Sequence, residues 1–157
     1  MELKDKIKNL ADTYYEDLVA IRRHLHAHPE LSYEEVETSK FIAEKLTEYG
    51  IEHSTNIGGH GVVGLIKGKN PTKKIIALRA DMDALPIEEK NTTSYVSQNK
   101  GVMHACGHDV HTTSLLGAAK ILNELKDSFE GTIKLIFQPA EEKLPGGASI
   151  MIKDGVL

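Results

Sequence analysis

The sequence predicts an α/β fold, a three-layer sandwich of helices packed on a mixed, largely parallel sheet. Two observations predict it. Stretches with apolar residues at helical spacing alternate with short apolar runs of strand length, and Gly, Pro or Asn bounds most of those runs. Internal repeats, low-complexity tracts and linkers are absent, and 157 residues suit a single domain with a sizeable core.

The first helix is expected over residues 4–28. Leu10, Tyr14, Leu18, Ile21 and Leu25 recur at three- and four-residue steps, which places them on one face. Pro29 stops this helix. The stretch "SYEE" then has the spacing of a capping box, with Ser32 as N-cap and Glu35 three positions later. It opens a second helix that runs to Tyr49, buries Val36, Ala43, Leu46 and Tyr49, and ends at Gly50. Two apolar runs follow, "GVVGLIKG" at 61–68 and "KKIIALRA" at 73–80. The intervening "KNPT" suits a turn, so the two runs are expected to form a hairpin. Residues 88–102 are polar and read as a surface loop. A third helix over about 109–127 turns Leu115, Leu116, Ala119, Leu122 and Leu125 inward. "GTIKLIFQP" at 131–139 is a buried strand, and a last helix runs from Gly147 to Lys153.

Composition excludes several classes of function. A net charge of −4 gives no basic footprint for nucleic acid or an anionic membrane. No apolar run approaches the roughly 20 residues that span a bilayer. The charged start "MELKDKIKNL" lacks a secretion signal, and a lone cysteine fits a reducing compartment, so a cytoplasmic location is expected.

Chemistry concentrates in three segments. Ligands of open α/β sheets bind beyond the carboxyl ends of the strands. "RADMD" (79–83) and "AEE" (140–142) each follow a strand there, and "CGHD" (106–109) opens a helix. Cys106 and His108, two apart in an extended segment, project from one face, with Gly107 between them to allow close approach. Thiolate and imidazole together favour zinc, cobalt or nickel. The competing reading makes Cys106 a small buried hydrophobe, the commoner fate of a free cysteine. Glu141 and Glu142 point to opposite sides of an extended chain, so one carboxylate can hold a metal while the other serves as a base. Asp81 and Asp83 share a face, where they either orient ligands or cap a turn before Pro86. His24 and His28 lie four apart on the first helix, but lack the glutamate of a His-Glu-x-x-His arrangement and are set aside as ligands. His53 and His60 receive no role. A cysteine-nucleophile hydrolase is the enzymatic rival, with His104 or His111 as the base for Cys106, and it leaves both glutamates idle. A non-catalytic folded fragment is the third reading.

Four stretches, "RRHLHAHPELSYEE", "RADMDALPI", "GVMHACGHDVHTTSLLGAA" and "FQPAEE…GGA", occur in this order. Together they resemble the M20 metallopeptidase family, in particular its amidohydrolase branch of hippurate hydrolases, N-acyl-amino-acid amidohydrolases and auxin-conjugate hydrolases. The resemblance implies a zinc-peptidase-like catalytic domain with two divalent metal ions (zinc, manganese, cobalt or nickel) that hydrolyses the amide of an N-acyl amino acid. Residue by residue it makes Cys106, His108 and Glu142 metal ligands, with the thiolate at the bridging position. It makes Glu141 the general base and Asp83 an aspartate behind the ligands, while Asp81 falls where other branches carry a metal-binding histidine. Family enzymes are much longer, with two further histidine ligands and an inserted domain that pairs subunits into a homodimer. Residues 1–157 are therefore expected to be the N-terminal portion of the catalytic domain, weakly active or inactive alone.

Overall fold

The computed structural model describes residues 2–157. In chain order the elements are α1 (Leu3–Ala27), α2 (Val36–Glu48), β1 (Glu52–Ile57), β2 (Gly61–Lys67), β3 (Ile75–Asp81), α3 (His108–Glu124), β4 (Thr132–Gln138) and α4 (Gly147–Lys153). A single 3-10 turn, Lys126–Ser128, follows α3, so the third helix ends three residues short of the expected 127.

The strands form one sheet in the order β1-β2-β4-β3. β1 and β4 both run antiparallel to β2, and β3 runs parallel to β4. The sheet is mixed, as expected, but not largely parallel: of its three pairings only β3 with β4 is parallel, because β2 turns back from β1 and pairs antiparallel with β4. The expected hairpin between 61–68 and 73–80 does not form. β4 lies between those strands, and the true hairpin joins β1 to β2. This rearrangement matters for the site: because β3 and β4 are parallel, Asp81 and Gln138 are register partners and both chains leave the sheet on the same side.

Helices α1, α2 and α3 cover one face. There Ile21, Leu25, Ile42, Leu46, Leu115, Leu116 and Ala119 pack on Val62, Ile66, Ala80, Leu135 and Phe137. Alternate residues of β4 point the other way, so Ile136 joins Met151 and Val156 beneath α4. These are the three layers. Gly117 sets the closeness of α1 to α3, since a Cβ there would meet Leu18 Cδ1 at 2.8 Å.

The apolar stripe of α1 is the expected one, with Ile21 and Leu25 buried. The start of α2 is not. This helix begins at Val36, which is exposed, and buries Thr38, Ser39, Ile42 and Leu46. Neither Ser32 nor Glu35 caps it. The Glu30 carboxylate does so instead, accepting the backbone N–H groups of Glu37 at 3.1 Å and Thr38 at 2.8 Å. Ser32 and Glu35 are turned inward, Ser32 to Asp83 and Glu35 to Ala140. A capping-box spacing is here used to hold the functional rim. Among the described residues no helix is long and apolar enough to cross a membrane.

Candidate metal centre

Three segments meet at the carboxyl end of the β3–β4 pair. Asp81 closes β3 and Asp83 follows it. Glu141 and Glu142 follow β4, and Cys106-Gly107-His108 leads into α3. A sulfur of Cys106, a ring nitrogen of His108 and a carboxylate oxygen of Glu142 all lie within 4.8 Å of one another. Cys106 is exposed, which removes the reading of a buried hydrophobe. Gly107 adopts φ +83°, a left-handed conformation that a side chain resists, and a Cβ there would meet nothing within 4 Å. It is therefore needed for backbone shape rather than for the close approach expected of it.

Asp83 organises this cluster. It is 1% exposed, and its Oδ2 accepts the Ser32 hydroxyl at 2.6 Å and the Glu142 backbone N–H at 3.0 Å. His108 Nδ1 sits 2.9 Å from the Asp83 carbonyl oxygen and 3.2 Å from Oδ1. A donor at Nδ1 satisfies both and leaves Nε2, 3.8 Å from Glu142 Oε1, free to bind. One carboxylate thus fixes the imidazole's orientation and the backbone of the opposing glutamate.

Electrostatics follow from this geometry. Burial pushes the Asp83 carboxyl up. Hydrogen bonds from His108, Ser32 and the Glu142 and Glu141 backbones outweigh burial and hold it at about 2. His108 is lowered by burial, but Asp83 more than compensates and holds it above its ordinary value. A hydrogen bond to Glu142, then burial, then the charges of Glu142, Glu141 and Asp81 raise the Cys106 thiol. The negative potential that retains this proton would also draw a divalent cation, and a cation would favour the thiolate. Soft sulfur, imidazole nitrogen and carboxylate at one point form a donor set suited to zinc, cobalt or nickel.

The depressed Asp83 value carries a prediction. A carboxyl lowered on folding contributes stability above its unfolded value near 3.8, and that contribution is lost as pH falls through about 2. In chelator-treated protein, the stability gap between wild type and Asp83→Asn should narrow by roughly 2 kcal/mol from pH 5 to pH 2. Urea denaturation at both pH values measures it.

A second group, Asp81, His108 and His111, also brings ligand atoms within 4.8 Å. His111 Nδ1 lies 3.8 Å from Asp81 Oδ2, and its ring centroid is 5.4 Å from that of His108. Asp81 is engaged by the Arg79 guanidinium, which offsets its charge. From the sequence alone His111 enters only as a base for the thiol. Its i,i+3 spacing from His108 on a helix was the available signal.

The histidines of "RRHLHAHPE" take other parts. His24 stacks on Phe41 at 4.4 Å, and its ring lies tilted 4.5 Å from that of His28. Among the described residues neither joins a group of three ligands. His26 is buried and bridges two carboxylates, Nδ1 at 2.6 Å from Asp109 Oδ2 and Nε2 at 3.1 Å from Glu89 Oε1. Arg22 Nε lies 3.2 Å from the same Asp109 oxygen. α1 thereby ties down the first turn of α3 beside His108. No spacing rule identified His26, because its partners come from two distant segments.

The rival thiol hydrolase requires a histidine in contact with Cys106. His104 is buried, burial lowers it to about 4, and neither ring nitrogen has a hydrogen-bond partner among the described residues. The group that acts most strongly on the thiol is the Glu142 carboxylate rather than His104.

The profile of peptidase family M20/M25/M40 matches residues 77–157, more than half the chain and all of the rim after α2. The chain belongs to this family. It is 49% identical over 154 residues to an N-acyl-L-amino acid amidohydrolase of Geobacillus stearothermophilus, covering 98% of this chain and 41% of that one. It is 54% identical over 136 residues to a hippurate hydrolase of Campylobacter jejuni, covering 87% and 34%. The crystal structure of a dinuclear metal binding peptidase of the M20 family from Bacillus subtilis superposes with a TM-score of 0.88 at 45% identity, covering 93% and 40%. The M20 chain thus spans about two fifths of the length of such relatives, which are hydrolases. Its mixed sheet flanked by helices is the sheet of M20 structures.

Proposed function

We propose that this M20 chain carries part of the active centre of a metal-dependent amidohydrolase that cleaves the amide bond of N-acyl amino acids. The single observation behind this reading is the meeting of Cys106, His108 and Glu142 at one point of the rim, with Asp83 orienting two of them. The names of the relatives support the substrate class.

In this reading the Cys106 thiolate, His108 Nε2 and the Glu142 carboxylate hold a divalent cation, zinc, manganese, cobalt or nickel. The catalytically complete protein would take two such ions, and Cys106, His108 and Glu142 would supply part of the side chains that hold them. When bound, the cation supplies Lewis acidity, which acidifies water and polarises the acyl carbonyl. Glu141, exposed beside the cluster and outside its donor set, accepts a proton from the attacking water. A carbon–oxygen bond forms at the acyl carbon, the carbon–nitrogen bond breaks, and Glu141 returns the proton to the leaving amine. Asp83 keeps His108 in one tautomer throughout. Residues 1–157 are, on this proposal, the N-terminal portion of the catalytic domain. The remaining ligands, substrate-binding groups and the surface that pairs a homodimer come from outside them, in keeping with the two-fifths span. The exposed thiol suits a reducing compartment, and we place the enzyme in the cytoplasm.

The test uses N-acetyl and N-benzoyl amino acids with any form of the protein that hydrolyses them. A chelator should abolish hydrolysis and added zinc or cobalt should restore it. Hydrolysis that survives chelation yet is abolished by alkylation would replace this reading with the thiol hydrolase.

A further inference from the structure

The corner between β4 and the two glutamates is built on an unusual residue. Ala140 is fully buried and has φ +48°, the left-handed region that L side chains avoid. It stands directly before Glu141 and Glu142, so its conformation sets the direction in which both leave the sheet. Two hydrogen bonds pin it. Its carbonyl oxygen accepts the Gly147 N–H at 2.9 Å, and its own N–H donates to Glu35 Oε1 at 2.7 Å.

Glu35 is itself an anomaly. It is a carboxyl group at 0% exposure, and Oε2 has no hydrogen-bond partner among the described residues. Burial raises it above the ordinary carboxylate range, although backbone N–H groups including that of Ala140 oppose the shift. A buried polar group so poorly satisfied is expensive for the fold to keep. Its neighbours point to the same corner. Tyr33 Oη donates to the Lys143 carbonyl and accepts the Gly146 N–H, both at 3.0 Å. The stretch from Ser32 to Glu35 thus grips the rim at Asp83, Ala140 and the 143–146 turn.

We infer that Glu35 is a positioning residue whose Oε1, by holding the Ala140 N–H, keeps the left-handed corner that turns Glu142 toward Cys106 and His108. The inference rests on the metal-centre reading insofar as Glu142 holds a cation. The corner itself does not, so the test has two arms. In metal-free protein, hydrogen exchange followed by NMR reads the protection of the Ala140 amide in wild type, Glu35→Gln and Glu35→Leu. Cobalt titration then reads affinity through the thiolate-to-cobalt absorption of Cys106.

Glutamine retains the acceptor and leucine removes it at similar volume. Glu35→Gln should keep Ala140 protected and cobalt affinity within about threefold. Glu35→Leu should lose the protection and bind cobalt at least about tenfold more weakly, the scale for groups that orient ligands, with unchanged far-ultraviolet circular dichroism. If the leucine variant fails to fold, Glu35→Asp, which draws the carboxylate back by one methylene, should show the same losses. Wild-type cobalt affinity in the leucine variant, or a glutamine variant as impaired as leucine, overturns the inference. If wild type itself shows no thiolate-to-cobalt absorption, the metal reading fails. The amide protection then decides the corner alone, and an Ala140 amide equally protected in all variants overturns it.

Discussion

Glu141→Gln lowers turnover of an N-acyl amino acid by about 10²- to 10⁴-fold, the range for loss of a general base, while bound metal per chain stays at the wild-type level. The amide is close in shape to the carboxylate but cannot accept and return a proton. The variant should leave the metal-binding side chains in place, because the donor atoms that converge belong to Cys106, His108 and Glu142. Asp83 also holds the backbone of this segment through the Glu142 N–H, a bond that the substitution does not touch. Turnover is measured on N-acetyl and N-benzoyl substrates, and metal by elemental analysis of the same samples. Retained turnover removes Glu141 from the role of base. Lost metal would make it a ligand instead.

Cys106→Ser and Glu142→Ala have the opposite signature and lose the metal. Structural zinc sites with four ligands bind with apparent free energies of roughly 10–16 kcal/mol, or about 3 kcal/mol per ligand. Removing one donor should therefore weaken binding by about 100-fold or more. Serine is a fair test because its hydroxyl stays protonated where the thiol would ionise on a cation. Cys106 is exposed, so its loss leaves no cavity in the core, and the metal-free variant should unfold at the wild-type denaturant concentration. Competition with a chromophoric chelator measures the affinities. Wild-type affinity in either variant would take that residue out of the centre.

The parts of this molecule legible in the sequence are those where a local pattern and the tertiary structure demand the same thing. The α1 stripe through Ile21 and Leu25 and the buried run of β4 are of this kind, since burial imposes their spacing directly. The rim was legible for a related reason: strands of an α/β sheet deliver their following residues to one side, which brought Asp81, Asp83 and Glu142 toward Cys106. β1 has no signal in the sequence, because "EHSTNI" is an edge strand whose residues are exposed or half-buried, and such a strand carries no apolar alternation. The hairpin expected between β2 and β3 does not form because adjacency in sequence is not adjacency in the sheet: β4 supplies hydrogen bonds to both. The capping box failed for a functional reason. Ser32 and Glu35 have the residue types of a cap, but Asp83 and Ala140 engage their side chains at the rim. His26 and Glu89 meet across 63 positions of sequence and Ser32 and Asp83 across 51, and no local rule reports such pairs.

One claim underlies the rest: Cys106, His108 and Glu142 hold a single cation. X-ray absorption at the zinc edge of the zinc-loaded chain tests it most directly. One sulfur neighbour at about 2.3 Å is expected alongside nitrogen and oxygen neighbours, with the sulfur signal lost in Cys106→Ser. A zinc ion bound with nitrogen and oxygen neighbours alone, or a spectrum unchanged by Cys106→Ser, would contradict it.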